Sequence, residues 1–106
     1  LEEISATECN IHVRGAIDPL DVSTIRAAII AHGYTSVDVT TIPAGARYKL
    51  TSDDIKKLFG DWPGDTNNMI PQTTTTLSLK DADITSDVQY GDAGISYLQN
   101  IKKLTC

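Results

Sequence analysis

What this sequence has little of narrows its functions before any motif is read. Basic residues are scarce: 9 lysines and arginines stand against 14 aspartates and glutamates, for a formal net charge of -5. The acids outweigh the bases in both halves of the chain. Such a molecule repels phosphate backbones and anionic headgroups at long range, so nucleic-acid binding would need a local cationic patch. No apolar run approaches the roughly 18 residues that a membrane span requires, which argues against membrane insertion. None of Asn10, Asn67, Asn68 and Asn100 begins an N-x-[ST] triplet, so no N-glycosylation acceptor is present. There is no G-x-S-x-G elbow, and neither cysteine has an activating neighbour in sequence. The apolar fraction of 41% nevertheless belongs to a globular chain, and 106 residues make one domain, residues 1–106.

Cysteine is also scarce, and its placement is informative. Cys9 stands near one end and Cys106 is the last residue. Paired, they would close a loop of nearly the whole chain, which chain-entropy reasoning credits with about 4–5 kcal/mol. An exposed terminal thiol is otherwise a liability. The expectation is a Cys9–Cys106 disulfide, and with it an oxidising, extracellular compartment. The chain begins at Leu1 rather than at methionine, which fits either a removed signal peptide or a trimmed sequence. Two distant cysteines and two histidines match no zinc-ligand spacing, and no cofactor motif appears.

What is there reads as alternating strands and two well-marked helices. Ile11 to Ile17 alternates apolar and polar residues, as a strand does. Asp18 then caps a helix opened by Pro19, with Asp21 in its first turn. Val22, Ile25 and Ile29 form its stripe and Gly33 stops it, so the spacing predicts a helix over Pro19–His32. Val37 to Thr41 returns to period two. Pro43-Ala44-Gly45 reads as a turn into Ala46, Tyr48 and Leu50, an antiparallel pair. A second helix is predicted over Ser52–Phe59, capped by Thr51 or Ser52, with acids at its start, Ile55, Leu58 and Phe59 on one face, and Gly60 at its end. Thr73 to Leu79 reads as a strand, Asp81 to Asp87 as an acidic loop, and a last strand runs through Ile101 toward Leu104. No internal repeat stands out beyond the run Thr73 to Thr76. The order predicts an α+β fold: a two-layer α/β sandwich of split βαβ (ferredoxin-like) type. Its antiparallel sheet carries both helices on one face. Neighbouring first and last strands would then bring Cys9 and Cys106 together.

Candidate chemistry is sparse. His12 in the polar register of the first strand and His32 in the last helical turn form one acid–base pairing, with Arg14 or Lys49 to meet phosphate charge, as in RNA cleavage. The loop acids Asp61, Asp65, Asp81, Asp83, Asp87 and Asp92 carry no spacing that defines glycoside hydrolysis. The Asp81-Ala82-Asp83 run lacks the glycine and distal glutamate of a calcium loop. No metal site is predicted. Trp62, in the turn Asp61-Trp62-Pro63-Gly64-Asp65, brings a large aromatic area with few torsions, suited either to closing the core or to anchoring a partner. Asp61, Asp65 and Asn67 would flank it in a partner-binding loop.

Small size, a cysteine near each end and a capped helix after the first strand resemble two groups of secreted fungal proteins. One is the killer-toxin-like proteins with split βαβ folds. The other is the ribonuclease-like effectors, in which a terminal disulfide holds an often catalytically dead scaffold. The resemblance spans Cys9 to about Leu50 and the final cysteine. It implies a virulence effector or a toxin that acts through a partner rather than a reaction. The expected function is therefore a secreted, disulfide-linked interaction protein binding a protein partner, without a cofactor. The alternatives are an RNA-binding or RNA-cleaving protein using His12, His32, Arg14 and Lys49, and a secreted enzyme inhibitor. The sequence assigns no oligomeric state.

Overall fold

The computed structural model describes residues 1–42, 48–60, 65–84 and, for the backbone, 103–105. Both helices lie where the spacing places them. Helix α1 spans Pro19–His32 and α2 spans Ser52–Phe59. Asp18 caps α1 by accepting from the Leu20 N–H, and Gly33 closes it in the left-handed conformation, φ 74°. Thr51 caps α2 in a full capping box: its hydroxyl accepts from the Asp54 N–H, and the Asp54 carboxylate accepts from the Thr51 N–H.

Seven strands are present among the described residues: β1 (Glu2–Glu3), β2 (Glu8–Val13), β3 (Ser36–Thr41), β4 (Lys49–Leu50), β5 (Thr76–Asp81), β6 (Asp83–Ile84) and β7 (Lys103–Thr105). The main sheet has the order β1-β2-β3-β5-β7. The α+β class is as expected, but the antiparallel ferredoxin-like sheet is not what forms. Only β1 runs antiparallel to its neighbour; β2, β3, β5 and β7 are parallel, each beside the one before it. The physical reason is the length of the connections. The β2–β3 link contains the whole of α1, and β3–β5 contains α2, which is what parallel crossovers need. The expected hairpin between β3 and β4 also fails. Strand β4 leaves the main sheet and pairs with β6 instead; the turn at 43–47 lies outside the described residues.

The stacking reveals a repeat that composition hides. Cys9, Val37, Leu77 and Leu104 occupy equivalent ladder positions. At each strand entry a threonine carbonyl accepts from two successive N–H groups of the next strand. Thr7 accepts from Thr35 and Ser36, and Thr35 accepts from Thr75 and Thr76. Each parallel strand is added beside the one before it, across a crossover connection.

Inward side chains of β2, β3 and β5 (Cys9, Ile11, Val13, Val37, Val39, Leu77 and Leu79) form one core with Val22 and Ile29 of α1 and Ile55, Leu58 and Phe59 of α2. Full burial of each large aliphatic side chain stabilises by about 1.5–3 kcal/mol. Residues 65–70 lock the helical layer. Arg26 donates to the Asn68 side-chain and backbone oxygens, Asn68 Nδ2 donates to the Phe59 carbonyl at 2.9 Å, and the Met69 and Ile70 N–H groups take up the Lys57 and Leu58 carbonyls. These contacts satisfy the open C-terminal end of α2.

Candidate functional site on the open face of the sheet

Both helices contribute their buried residues to the same core cluster as the inward strand residues. The outward residues meet no helix among the described residues. They are Glu8, Asn10 and His12 on β2, Ser36, Asp38 and Thr40 on β3, and Thr76 and Ser78 on β5, and every one is half-buried. Parallel sheets are ordinarily covered on both faces and built from continuous apolar strands. Here alternation is strict, so one face is polar from strand to strand.

Ladder pairing sets these side chains in rows. Glu8, Ser36 and Thr76 form one; Asn10, Asp38 and Ser78 form the next. Thr40 Oγ1 donates to Asn10 Oδ1 at 3.0 Å, and His12 Nε2 lies 3.2 Å from Glu2 Oε1 on the edge strand. The register then slips between Asp38 and Thr40, so that Thr40 faces Asp81 rather than Lys80. This bulge adds a residue to β5 and brings Asp81 beside the row. Thr41, fully buried behind it, accepts from the Asp83 N–H at 2.9 Å and so fixes where the strand turns away.

The electrostatics converge on Asp38. Its carboxyl is pushed up to about 6, first by burial, then by a hydrogen bond with Glu8, then by the charges of Glu8 and Asp81. Glu8 and Asp81 lie on the strands to either side of it.

No protein-family model, curated protein or solved structure matches this chain. Its function must be read from its own surface.

The expected site residues fall elsewhere. Asp61, Trp62 and Cys106 lie outside the described residues. Asp65, expected on a partner-binding loop, is buried: its Oδ1 accepts from the Asn67 N–H at 2.9 Å and its side chain packs over Gly60. Asn67 is exposed. Cys9 is a free, fully buried thiol, raised to about 11, chiefly by burial and then by the charge of Asp38. The expected Cys9–Cys106 bridge involves a residue outside those described; the strands that lead to the two cysteines, β2 and β7, are separated by β3 and β5.

The two histidines are not brought together. His12 sits on the open face opposite Thr40, while exposed His32 ends α1 and stacks on Tyr34, two residues ahead of Ser36. From Ser36 to Thr40 the strand rises about 13 Å. His12 Nδ1 has no hydrogen-bond partner among the described residues, and the ring's other nitrogen faces Glu2, not His32. Arg14 and Lys49 are exposed on different elements, past the end of β2 and in β4. No group of three His, Cys, Asp or Glu among the described residues could hold a metal ion.

Sequence reasoning missed Glu8, Asn10, Asp38 and Ser78 as a set. The signal was available: all stand at polar positions of alternating segments. What could not be read was that parallel stacking aligns them.

Proposed function

We propose that this chain is an interaction module that binds a protein partner across the open face of its sheet. The observation that carries the reading is the continuous polar row from β2 to β5 on a parallel sheet whose described helices, α1 and α2, pack with the inward residues. Solenoid proteins present their binding surfaces in this way, on a rigid ladder with its side chains held in register. Half-buried polar side chains already restrained by their neighbours lose little freedom when a partner arrives, which favours association. The compartment expected from a Cys9–Cys106 bridge forms no part of this proposal, because Cys106 lies outside the described residues.

A capture experiment tests it. Wild type is compared with Asn10→Arg/Ser78→Arg, which blocks the row, and with Leu20→Ser on the exposed side of α1, all verified as folded by circular dichroism. The expected outcome is a protein lost by the row variant and kept by the α1 variant. Retention by the row variant, or loss only with Leu20→Ser, would refute the sheet face. An RNA-cleavage assay with His12→Ala runs alongside; cleavage abolished by that change would replace the binding reading with a catalytic one.

A further inference from the structure

The helical layer carries a cavity that plays no part in the open face of the sheet. Its volume is about 520 Å³, within the range of small-molecule sites, and α1, α2 and residues 66–67 all contribute to its lining. We infer that this cavity binds a small carboxylic acid with an apolar body, whose carboxylate meets the Arg26 guanidinium.

Three observations carry this. The core stripe of α1 runs through Val22, Ile25 and Ile29, so Ala27 and Ile30 fall outside it, and Ile30 is 49% exposed. A single exposed isoleucine is ordinary. Here Val22, Ala27 and Ile30 line one concavity, which gives a ligand an apolar wall. The second observation is a half-buried cation at the same cavity, of the one type that does not shed its charge. Both hydrogen bonds from Arg26 to Asn68 leave from Nη1, and Nε and Nη2 make none among the described residues. That edge of the guanidinium matches the two oxygens of a carboxylate. Burial pulls the Arg26 group below its ordinary value, against the opposing charge of Asp65. An entering carboxylate offsets that loss of solvation. Thirdly, the other cation of the lining is already balanced. Lys57 Nζ lies 2.7 Å from Asp53 Oδ2 and donates to the Ile17 carbonyl at 2.8 Å. One guanidinium edge is left, which suits a single carboxylate rather than a polyphosphate.

Amide chemical-shift titrations of the whole chain with cinnamate and cinnamamide test this, since the two probes differ in charge and hardly in shape. Cinnamate is expected to bind with a millimolar Kd and to shift the amides of α1 from Val22 to Ile30 together with Thr66 and Asn67. Cinnamamide should bind about tenfold more weakly. Thr66→Glu adds a carboxylate at an exposed lining position and should weaken cinnamate about fivefold. Thr24→Glu adds the same charge at an exposed α1 position outside the lining and should change it by less than about twofold. Arg26→Lys, which keeps the charge and loses the fork, should cost cinnamate about fivefold and leave cinnamamide unchanged. Because Arg26 also braces Asn68, Ala27→Phe serves as the second variant: it fills the cavity, leaves the arginine in place, and should abolish binding of both probes. Equal affinity for acid and amide would overturn the carboxylate assignment. Equal losses in the two glutamate variants, shifts centred on β2, β3 and β5, or no shift at about 20 mM cinnamate would overturn the site.

Discussion

Asp54 and Asp38 are both aspartates drawn away from water, and the protein treats them oppositely. Asp54 is almost fully buried at the start of α2. Burial alone would raise its carboxyl, but the N–H groups of Thr51 and Ile17 and the hydroxyls of Tyr48 and Thr51 hold it below the usual carboxylate range. Those contacts are short: 3.0 Å from Ile17 N to Oδ1, and 2.7 Å from Tyr48 Oη to Oδ2. Asp38 is less buried yet shifts upward, because its neighbours are acids rather than donors. One carboxylate is finished within the fold. The other faces further acids, and this difference separates a carboxylate satisfied by donors from one raised by its neighbours.

The sharpest way to break the comparison is at Asp54. It accepts from Ile17 while Lys57 Nζ donates to the Ile17 carbonyl at 2.8 Å, so α2 grips the turn that leads from β2 into α1. Asp54→Ala would leave several buried donors unpaired and remove the capping box. The expected loss is about 3–5 kcal/mol in chemical denaturation. Asp54→Asn keeps part of the acceptor capacity and should cost about half as much. A loss under about 1 kcal/mol for the alanine variant would show that the hub is ornamental. Its pH signature follows from a depressed carboxylate. The contribution is complete above the ordinary carboxylate range and is lost as pH falls through the lower folded value.

Gly60 extends the contrast to packing. Its φ is +98°, and an added Cβ would meet Asn68 Nδ2 at 3.0 Å and the Asp65 Cβ at 3.1 Å. Both neighbours are buried and hydrogen-bonded, so neither gives way cheaply. Gly60→Ala is expected to cost about 1–3 kcal/mol. Ser78→Ala on the open face should stay within about 0.5 kcal/mol. Equal costs would mean that the face is as tightly fitted as the helical layer and is not a free surface.

Cys9 offers a milder perturbation of the same inner layer. Cys9→Ser places a hydroxyl where a thiol is fully buried, at an expected cost of about 1–2 kcal/mol. In the wild type, burial holds the thiol at about 11. Cys9 should therefore resist alkylation at neutral pH until denaturant unfolds the sheet. Prompt modification of native protein at Cys9, read by peptide mass, would contradict its position.

The inner layer was largely legible in the sequence and the outer one was not. Caps and stops announce themselves locally: Asp18-Pro19, Gly33 and Thr51 with Asp54 need no tertiary context, and both helices have the expected bounds. Strand pairing is not local. Val37 to Thr41 reads as a strand in any sheet, and nothing within it says that Leu77 rather than Leu50 lies alongside. The recurrence of Thr7, Thr35 and Thr75 at strand entries was equally hidden. The connections between them differ in length, so a fixed period never appears. The candidate face inherits this difficulty, since its rows exist only once the register is known. Asp65 shows the converse error: a loop aspartate reads as exposed, yet here it turns inward to brace Gly60.

The effect at Asp38 is the most telling, because its sign is opposite to that of Asp54. The carboxyl of Asp38 stands at about 6, above its ordinary value. Between the ordinary carboxylate range and about pH 6 the folded state binds this proton more tightly than the unfolded chain does. Stability from this group is therefore greatest in mild acid and declines as pH rises through that window. The groups facing it are the carboxyl groups of Glu8 from β2 and Asp81 from β5. Asp38→Asn removes the repulsion while keeping a hydrogen-bonding side chain. The variant should be more stable than wild type above pH 6, by up to about 1 kcal/mol after allowance for solvent screening. The difference should shrink toward pH 4 and fade with added salt. A destabilised variant at neutral pH would show that Asp38 is already paired within the fold, as Asp54 is, and would remove the distinction between the two aspartates.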